Sequence, residues 1–264
     1  MLRVDVCIET MFTNLPLVER AKRVYDAGFD AIEFWFYDMG GDRKIEELAS
    51  FCRSKNILIN SMVANSPDGS IGGSLTDPAD RPKYLARVKE TIRVAKDIGC
   101  YKIITCSGNY QPSITVQLQR TSILHSLRAA CEICEKEGIT LLLEPLNTAV
   151  DHKGYFLDSA DVGAEVVRGV GSPNLKLLFD VYHMQIMQGN ILARIERHID
   201  VIGHFHSAGV PGRHELDNGE LNYPEIMRRI DALGYKGLFG LEYWPALPHD
   251  ESLRRMRTLT RVSD

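Results

Sequence analysis

Short runs of β-branched and aliphatic residues alternate with longer segments of helical periodicity, and this alternation occurs eight times along the sequence. We predict strands at Val4–Ile8, Ala31–Phe34, Ile57–Ser61, Lys102–Thr105, Thr140–Leu143, Leu175–Phe179, Ile202–His206 and Gly237–Leu241. Amphipathic stretches that predict helices include Leu15–Ala27, Ile45–Ser54, Arg81–Ile98, Leu118–Glu137, Ser159–Val170 and Tyr223–Leu233. Helical crossovers join parallel strands, and eight such units in 264 residues fit a closed sheet. We therefore predict the α/β class and a single (β/α)8 TIM barrel domain over residues 1–264.

An open, doubly wound sheet is the alternative arrangement of the same alternation. No GxGxxG or GxxxxGK[ST] motif follows the first predicted strand, so a dinucleotide-binding or P-loop fold lacks its main support. No low-complexity run, charge block or linker-like stretch divides the chain. These observations favour the closed barrel.

The charge balance and the cysteines limit the partners and the compartment. A net charge of −4 gives no broad electrostatic basis for binding nucleic acid or an anionic membrane. The six cysteines include one CxxC pair, Cys131 and Cys134, but it lies on a predicted helix without a second pair, so we expect buried or half-buried thiols. Unpaired thiols, no apolar run of about 18 residues and no signal-like N-terminus predict a cytoplasmic protein.

Polar residues end four consecutive predicted strands, five to eight. Each of the acids Glu144, Asp180 and Glu242 stops an apolar run, and His206 lies at the end of strand seven. The carboxyl ends of barrel strands meet at one mouth, where three bare carboxylates would repel one another. A single divalent ion would remove that repulsion. This ligand set suits Mn²⁺, Mg²⁺ or Co²⁺, and Zn²⁺ is also possible.

Four further polar residues lie near the same mouth. His183 follows Asp180 closely and is either a substrate donor or a buried structural histidine. Arg213, on a loop after strand seven, either clamps a substrate oxygen or carboxylate or is solvated. Glu33 ends strand two and is either a substrate contact or part of a structural ion pair. His204 is expected one layer deeper, as a hydrogen-bonded core histidine.

The remaining expectations concern the walls of the mouth. Trp35 and Phe36 could wall a pocket, and His214 and Glu215 are expected to be solvated. The Gly- and Ser-rich loop Ala64–Asp80 has the length and composition of an active-site lid.

Several motifs resemble those of the xylose-isomerase-like barrel superfamily of sugar isomerases and epimerases, and in particular the hydroxypyruvate isomerase family. The motifs cover most of the chain and read GFDAIEFWF, LLLEPLN, LLFDVYHMQIMQGN, IGHFHSAGVPGRHE, GELNYPEI and GYKGLFGLEYWP. The resemblance implies a metal held by Glu144, Asp180, the strand-seven residue and Glu242. It also implies that Glu144 and Glu242 transfer protons on opposite sides of the substrate, with His183 and Arg213 on substrate oxygens.

The sequence departs from the hydroxypyruvate isomerase pattern at two places. Hydroxypyruvate isomerases carry glutamine at the strand-seven ligand, where this sequence has His206. Histidine at that position resembles the ketose 3-epimerases of the tagatose epimerase type and inosose-processing relatives. The stretch NTAVDHKGYFL after Glu144 departs from both patterns.

The expected reaction removes a proton next to a carbonyl in a small sugar or keto-acid substrate and passes through an enediolate. Returning the proton to the neighbouring carbon makes an isomerase, and returning it to the opposite face makes an epimerase. The alternative is a metal-dependent lyase, such as the larger subunit of a C-glycoside deglycosidase acting on 3-keto-glucosides with a small β-subunit. A homo-oligomer is also possible. A phosphodiesterase for damaged DNA would need more strand-end histidines and a basic groove.

Overall fold

The structure is a computed structural model that describes residues 2–40 and 43–261. Its strands are β1 Arg3–Cys7, β2 Ala31–Glu33, β3 Leu58–Ile59, β4 Met62–Val63, β5 Lys102–Cys106, β6 Thr140–Glu144, β7 Leu175–Asp180, β8 Ile202–Ser207 and β9 Leu238–Leu241. The helices are α1 Leu17–Asp26, α2 Ile45–Lys55, α3 Arg81–Ile98, α4 Val116–Glu137, α5 Ala160–Val170, α6 Val181–Met187, α7 Ile191–His198, α8 Tyr223–Ala232 and α9 His249–Leu259. A short 3-10 helix, Pro78–Asp80, precedes α3.

The strands form one parallel sheet in the order β3-β2-β1-β9-β8-β7-β6-β5-β4. Its two edge strands, β3 and β4, are separated in the chain only by Asn60 and Ser61. They are two halves of one barrel strand, because β3 pairs with β2 while β4 pairs with β5. The sheet therefore closes on itself, and the prediction of an α/β TIM barrel is confirmed.

Apolar side chains fill the space between the sheet and the helices, which places the polar residues at the strand ends. The strands carry buried aliphatic and aromatic residues such as Val6, Ile103, Leu143 and Phe239. The core-facing stripe of α1 is Leu17, Ala21 and Val24, as its spacing predicts. All six cysteines are free and buried, as expected.

The structure corrects the expected third strand Ile57–Ser61, which is interrupted at Asn60 and Ser61, and it adds α6, α7 and α9 to the helices named from the periodicity. The loop Ala64–Asp80 is packed against the barrel: the Asn65 amide donates to the carbonyls of Gly73 and Cys106, at 3.1 and 2.9 Å. A Cβ on Gly72 would lie 2.8 Å from side-chain atoms of Arg87 and Asn65, so the close approach requires glycine there. Among residues 2–40 and 43–261, no helix has both the length and the apolar character needed to cross a bilayer.

Candidate active site

The four predicted ligand residues converge at the carboxyl end of the barrel. Glu144 and Asp180 are the last residues of β6 and β7, His206 lies in β8, and Glu242 directly follows β9. All four are buried, and one ligand atom from each lies within 4.8 Å of the others. The four side chains are therefore placed to hold a metal ion.

The donor atoms of this ligand cluster, Glu144, Asp180, His206 and Glu242, fit a cation. Nδ1 of His206 lies 3.4 Å from Oε1 of Glu144 and 3.6 Å from Oε2 of Glu242. Oε1 of Glu144 and Nδ1 of His206 are buried and make no hydrogen bond in the structure. Buried polar atoms usually have a partner, and a divalent ion would satisfy these two together. Three carboxylates with one imidazole form an oxygen-rich donor set of the kind that Mn²⁺ or Mg²⁺ prefers.

The pKa values of the ligand cluster indicate which of its groups carry protons that a cation would replace. Burial raises the pKa of Asp180 to about 7 and also raises the pKa of Glu144. Burial opposes the charge on His206 as well, but the carboxylates of Glu33 and Glu242 outweigh it and raise the pKa of the imidazole well above its usual value. Protons on these groups therefore balance the carboxylates in the metal-free protein. Metal binding would release them.

The far side of the His206 ring is held by Glu33. Oε1 of Glu33 lies 2.9 Å from Nε2 of His206, while Oε2 accepts a hydrogen bond from Oγ of Ser61 at 2.7 Å. Glycine at position 240 leaves room for this pair, since a Cβ there would lie 2.8 Å from Cδ2 of His206 and 3.1 Å from Oε1 of Glu33. With Nε2 facing Glu33, Nδ1 faces Glu144 and Glu242 of the ligand cluster.

Glu33 and His204 lie beneath the mouth of the barrel. Both side chains are buried, and Nε2 of His204 lies 3.1 Å from Oε2 of Glu33. Nδ1 of His204 lies 3.2 Å from the carbonyl oxygen of Leu238. His204 is thus a hydrogen-bonded core histidine, as predicted. Of the two alternatives for Glu33, this placement favours the structural ion pair, because its carboxylate does not line the cavity above the ligand cluster.

His183 directs a hydrogen-bond donor at the ligand cluster. The backbone amide of Asn147 donates to Nδ1 of His183 at 3.2 Å, so Nδ1 is an acceptor and the proton of the neutral ring lies on Nε2. Burial lowers the pKa of His183 well below its usual value and keeps the ring neutral. Nε2 is buried, lacks a hydrogen-bond partner and lies 3.5 Å from Oδ2 of Asp180. This N–H group is available to an oxygen of a bound molecule.

Glu242 is held from two sides. Nη2 of Arg213 lies 2.6 Å from its Oε2, and the indole N–H of Trp35 donates to its Oε1 at 2.9 Å. The guanidinium of Arg213 also lies over the Tyr182 ring, 5.3 Å from its centroid. Burial opposes the charge of Glu242, but His206 and Arg213 outweigh it and lower the pKa of this carboxyl to about 2. Glu242 and Glu144 therefore differ in proton affinity, although both are buried carboxyl groups.

A cavity of about 230 Å³ opens above the ligand cluster. Its polar lining consists of Glu144, Glu242, His183, Arg213 and His152. The rest is mainly apolar and is formed by Trp35, Phe36, Met39, Val63, Pro67, Ile104, Cys106 and Leu146. Trp35 and Phe36 wall the pocket as predicted. The volume is below the roughly 300–1,000 Å³ of pockets for drug-sized ligands, so the cavity suits a small molecule.

Three further outcomes concern His152, Glu215 and His214. His152 was not predicted as a lining residue; its only sequence signal was its position in the unusual stretch after Glu144. Glu215 was expected to be solvated but is buried, and it accepts hydrogen bonds from the backbone amides of Ala246 and Leu247, both at 3.2 Å. These bonds connect the loop after β8 to the segment after β9. His214 is exposed, as expected.

Related sequences are similar to this one along nearly the whole chain. A profile of the xylose isomerase-like TIM barrel family matches residues 21–259. The putative hydroxypyruvate isomerase of Homo sapiens is 32% identical over 267 residues, covering 97% of this chain and 95% of that protein. The 2-oxo-tetronate isomerase of Cupriavidus necator is 33% identical over 244 residues, covering 90% and 91%. The hydroxypyruvate isomerase of Escherichia coli is 29% identical, covering 97% and 98%.

Solved structures share the fold. A Brucella melitensis protein described as an AP endonuclease of family 2 superposes with a TM-score of 0.90 at 28% identity, covering 98% of this chain and 99% of that one. The 3-keto-D-glucoside 4-epimerase YcjR of E. coli superposes with a TM-score of 0.81 at 19% identity, covering 98% of this chain and all of the other.

Proposed function

This chain belongs to the xylose isomerase-like TIM barrel family, and on that premise we propose that it is a divalent-metal-dependent isomerase of small hydroxylated 2-oxo acids. Its relatives are named isomerases and epimerases, and the chain is accordingly an enzyme of that kind. The substrate class, the metal and the mechanism are the proposal. Hydroxypyruvate and 2-oxo-tetronate, which appear in the names of the relatives, define the class.

The observation that carries the proposal is the ligand cluster at the floor of a small cavity. Two of its carboxylates, Glu144 and Glu242, line that cavity and lie 3.4 and 3.6 Å from Nδ1 of His206. Oε1 of Glu144 and Nδ1 of His206 are buried and have no hydrogen-bond partner in the structure. Three buried carboxylates around an imidazole are costly to keep bare, so the arrangement supports a bound cation with substrate above it.

A bound divalent ion supplies positive charge that stabilises the negative charge developing on a carbonyl oxygen when the adjacent carbon loses its proton. The residues around it divide the remaining work. Glu242, held ionised by His206 and Arg213, is suited to accept the proton, and Glu144, with the higher pKa, is suited to return one. His183 donates its Nε2–H to a substrate oxygen, and the apolar walls exclude water from the reacting carbon.

Epimerisation of a ketose is the second candidate, and His206 favours it. The resemblance of this residue to the strand-seven histidine of ketose 3-epimerases is the supporting observation. The two reactions share the first proton transfer and differ in which carbon receives the proton. A lyase acting on 3-keto-glucosides would start in the same way.

Phosphodiester cleavage in damaged DNA, which the description of the Brucella structure suggests, has less support from the site. Such an enzyme needs several zinc ions and a basic groove. The described lining of the cavity has one guanidinium, Arg213, and it is paired with Glu242. The net charge of −4 gives no attraction for a polyanion.

The predictions of a cytoplasmic location, a homo-oligomer and a small β-subunit stay predictions. Six free buried thiols accord with a reducing compartment.

The test is a substrate panel with protein stripped by a chelator and reloaded with Mn²⁺, Mg²⁺ or Co²⁺. We expect metal-dependent isomerisation of hydroxypyruvate or of 2-oxo-tetronate, followed by NMR, with weaker or no conversion of ketoses and 3-keto-glucosides. Turnover of ketoses alone would favour the epimerase. Equal activity before and after stripping would contradict the metal dependence.

A further inference from the structure

His152 is a polar residue of the cavity that neither the ligand cluster nor its supporting contacts engage. Its ring contacts His183 edge-on, with 5.4 Å between centroids, and approaches Tyr155, at 6.4 Å. Within the described part of the chain its ring nitrogens make no hydrogen bond with another residue. A half-buried imidazole without a protein partner, beside a cavity, is free to bond to a ligand.

The backbone that carries His152 is held in place. Oδ1 of Asn147 accepts hydrogen bonds from the amides of Val150 and Asp151 at 3.0 and 2.9 Å, and its carbonyl accepts from the amide of His152 at 3.1 Å. On the other side the carbonyl of His152 accepts from the amide of Tyr155 at 3.0 Å. The ring position therefore does not depend on a hydrogen bond of its own.

Asn147 also couples His152 to the reaction site. Its Nδ2 lies 2.6 Å from Nδ1 of His183, the same ring that directs Nε2 at the ligand cluster. It also donates to Oδ2 of Asp151 at 2.6 Å, which holds the turn against Asn147. One side chain thus orients both histidines. They form adjacent parts of one wall of the cavity, His183 at the ligand cluster and His152 beside it.

The other polar groups of the cavity engage the ligand cluster. Glu144 and Glu242 belong to it, and Nη2 of Arg213 lies 2.6 Å from Oε2 of Glu242, while Nε of Arg213 is buried and makes no hydrogen bond in the structure. His183 faces Asp180 at the ligand cluster. A short 2-oxo acid that presents its carbonyl and hydroxyl oxygens to this cluster must place its carboxylate elsewhere in the cavity. Of the described polar lining, His152 is the residue whose side chain makes no hydrogen bond or ion pair with another described residue, so it is placed to receive that carboxylate.

We propose that His152 is a specificity-determining residue that hydrogen-bonds the carboxylate of the substrate at the end remote from the ligand cluster. The assignment rests on the proposed function, and it narrows the substrate class to acids with the carboxylate next to the reacting carbons. It also gives a role to the stretch after Glu144 in which the sequence departs from both family patterns.

The experiment compares hydroxypyruvate with dihydroxyacetone, which replaces the carboxylate by a neutral CH2OH group. The metal-loaded variants His152→Leu and His152→Gln are measured beside His125→Gln, a change at an exposed histidine of α4. We expect His152→Leu to raise KM for hydroxypyruvate about 10–100-fold, because a hydrogen bond to a charged group is lost, with kcat within about threefold of wild type. His152→Gln should restore part of the affinity. The inhibition constant of dihydroxyacetone should change less than about threefold.

The outcomes separate this assignment from the function on which it rests. Wild-type turnover of hydroxypyruvate with an unchanged KM in His152→Leu overturns the assignment alone. A loss of kcat at constant KM, or equal weakening of the acid and of dihydroxyacetone, also overturns it. A wild-type enzyme inactive toward every 2-oxo acid overturns the proposed function and this assignment with it. Melting temperatures of the variants confirm that the fold is retained.

Discussion

Replacing Glu33 by glutamine should weaken metal binding although Glu33 is not a ligand. Its Oε1 lies 2.9 Å from Nε2 of His206, and its Oε2 accepts from Ser61 at 2.7 Å and lies 3.1 Å from Nε2 of His204. Glutamine keeps the volume and one acceptor but loses the negative charge beside the imidazole. The NH2 group of the glutamine must also lie against one of the groups that now face the Glu33 carboxylate, which are Nε2 of His206, Oγ of Ser61 and Nε2 of His204.

The magnitude follows from the weakened ion-pair contact between Glu33 and His206. Loss of the partner that orients a ligating histidine lowers metal affinity about 10–100-fold, which is about 1.4–2.7 kcal/mol. We expect about tenfold for Glu33→Gln, because one acceptor remains. Glu33→Ala should approach 100-fold and also lower the melting temperature, since it leaves His206, Ser61 and His204 without their common acceptor.

The assay is calorimetric titration of chelator-treated protein with Mn²⁺ at constant pH and ionic strength. Glu132→Gln, an exposed glutamate on α4, removes the same charge far from the mouth and should bind as the wild type does. Glu33→Gln binding Mn²⁺ within about twofold of wild type would refute the reasoning, since the Glu33–His206 contact would then have no part in metal binding.

Three further predictions concern the metal and Arg213. Mn²⁺ affinity should rise from about pH 6 to about pH 8, and binding should release protons, because the cation needs ionised ligands. Burial raises the pKa of Asp180 to about 7 and that of Glu144 above its usual value. Calorimetric titrations in buffers of different ionisation enthalpy measure the affinity and the number of protons released. Mn²⁺ at about 100 times its Kd should stabilise the fold by about 2.7 kcal/mol, about 5–10 °C in melting temperature, and a chelator should reverse it. Arg213→Lys should lower kcat at least about tenfold and leave metal affinity nearly unchanged, because lysine cannot reproduce the planar guanidinium at Glu242 and over Tyr182. Steady-state kinetics and a metal titration together check this.

The barrel and the ligand cluster could be predicted because both follow from local patterns. Each parallel strand is an apolar run, and an acid that stops such a run must lie at the carboxyl end of the barrel. Register then brings Asp180 of β7 opposite His206 of β8. The four predicted ligand residues, Glu144, Asp180, His206 and Glu242, therefore meet in the structure as the sequence predicts.

The interrupted third strand could not be predicted from such patterns. Asn60 donates to Oδ2 of Asp5 at 2.7 Å, and Ser61 donates to Oε2 of Glu33 at 2.7 Å. These side chains belong to a polar network inside the barrel that joins β1, β2 and β8. Its partners are far apart in the chain, so only the closed fold shows that the polar residues of strand three are paired.

The packing of the loops also could not be predicted from the sequence. The length and composition of Ala64–Asp80 do not show that Asn65 binds that loop to β5 through the carbonyl of Cys106. Glu215 is buried because two backbone amides from the segment after β9 reach it. His152 lines the cavity only because Asn147 folds the turn back on itself.

The most direct test of the central claim is proton transfer by Glu144 in the metal-loaded enzyme. Wild-type protein and Glu144→Gln, each with Mn²⁺ content measured, are incubated with hydroxypyruvate in D2O, and deuterium entering the substrate and product is followed by NMR. The proposed mechanism predicts conversion with solvent deuterium for wild type and at least about a 100-fold slower reaction for Glu144→Gln that still holds metal. Full turnover by metal-loaded Glu144→Gln, or conversion by wild type with no deuterium entering, would contradict it.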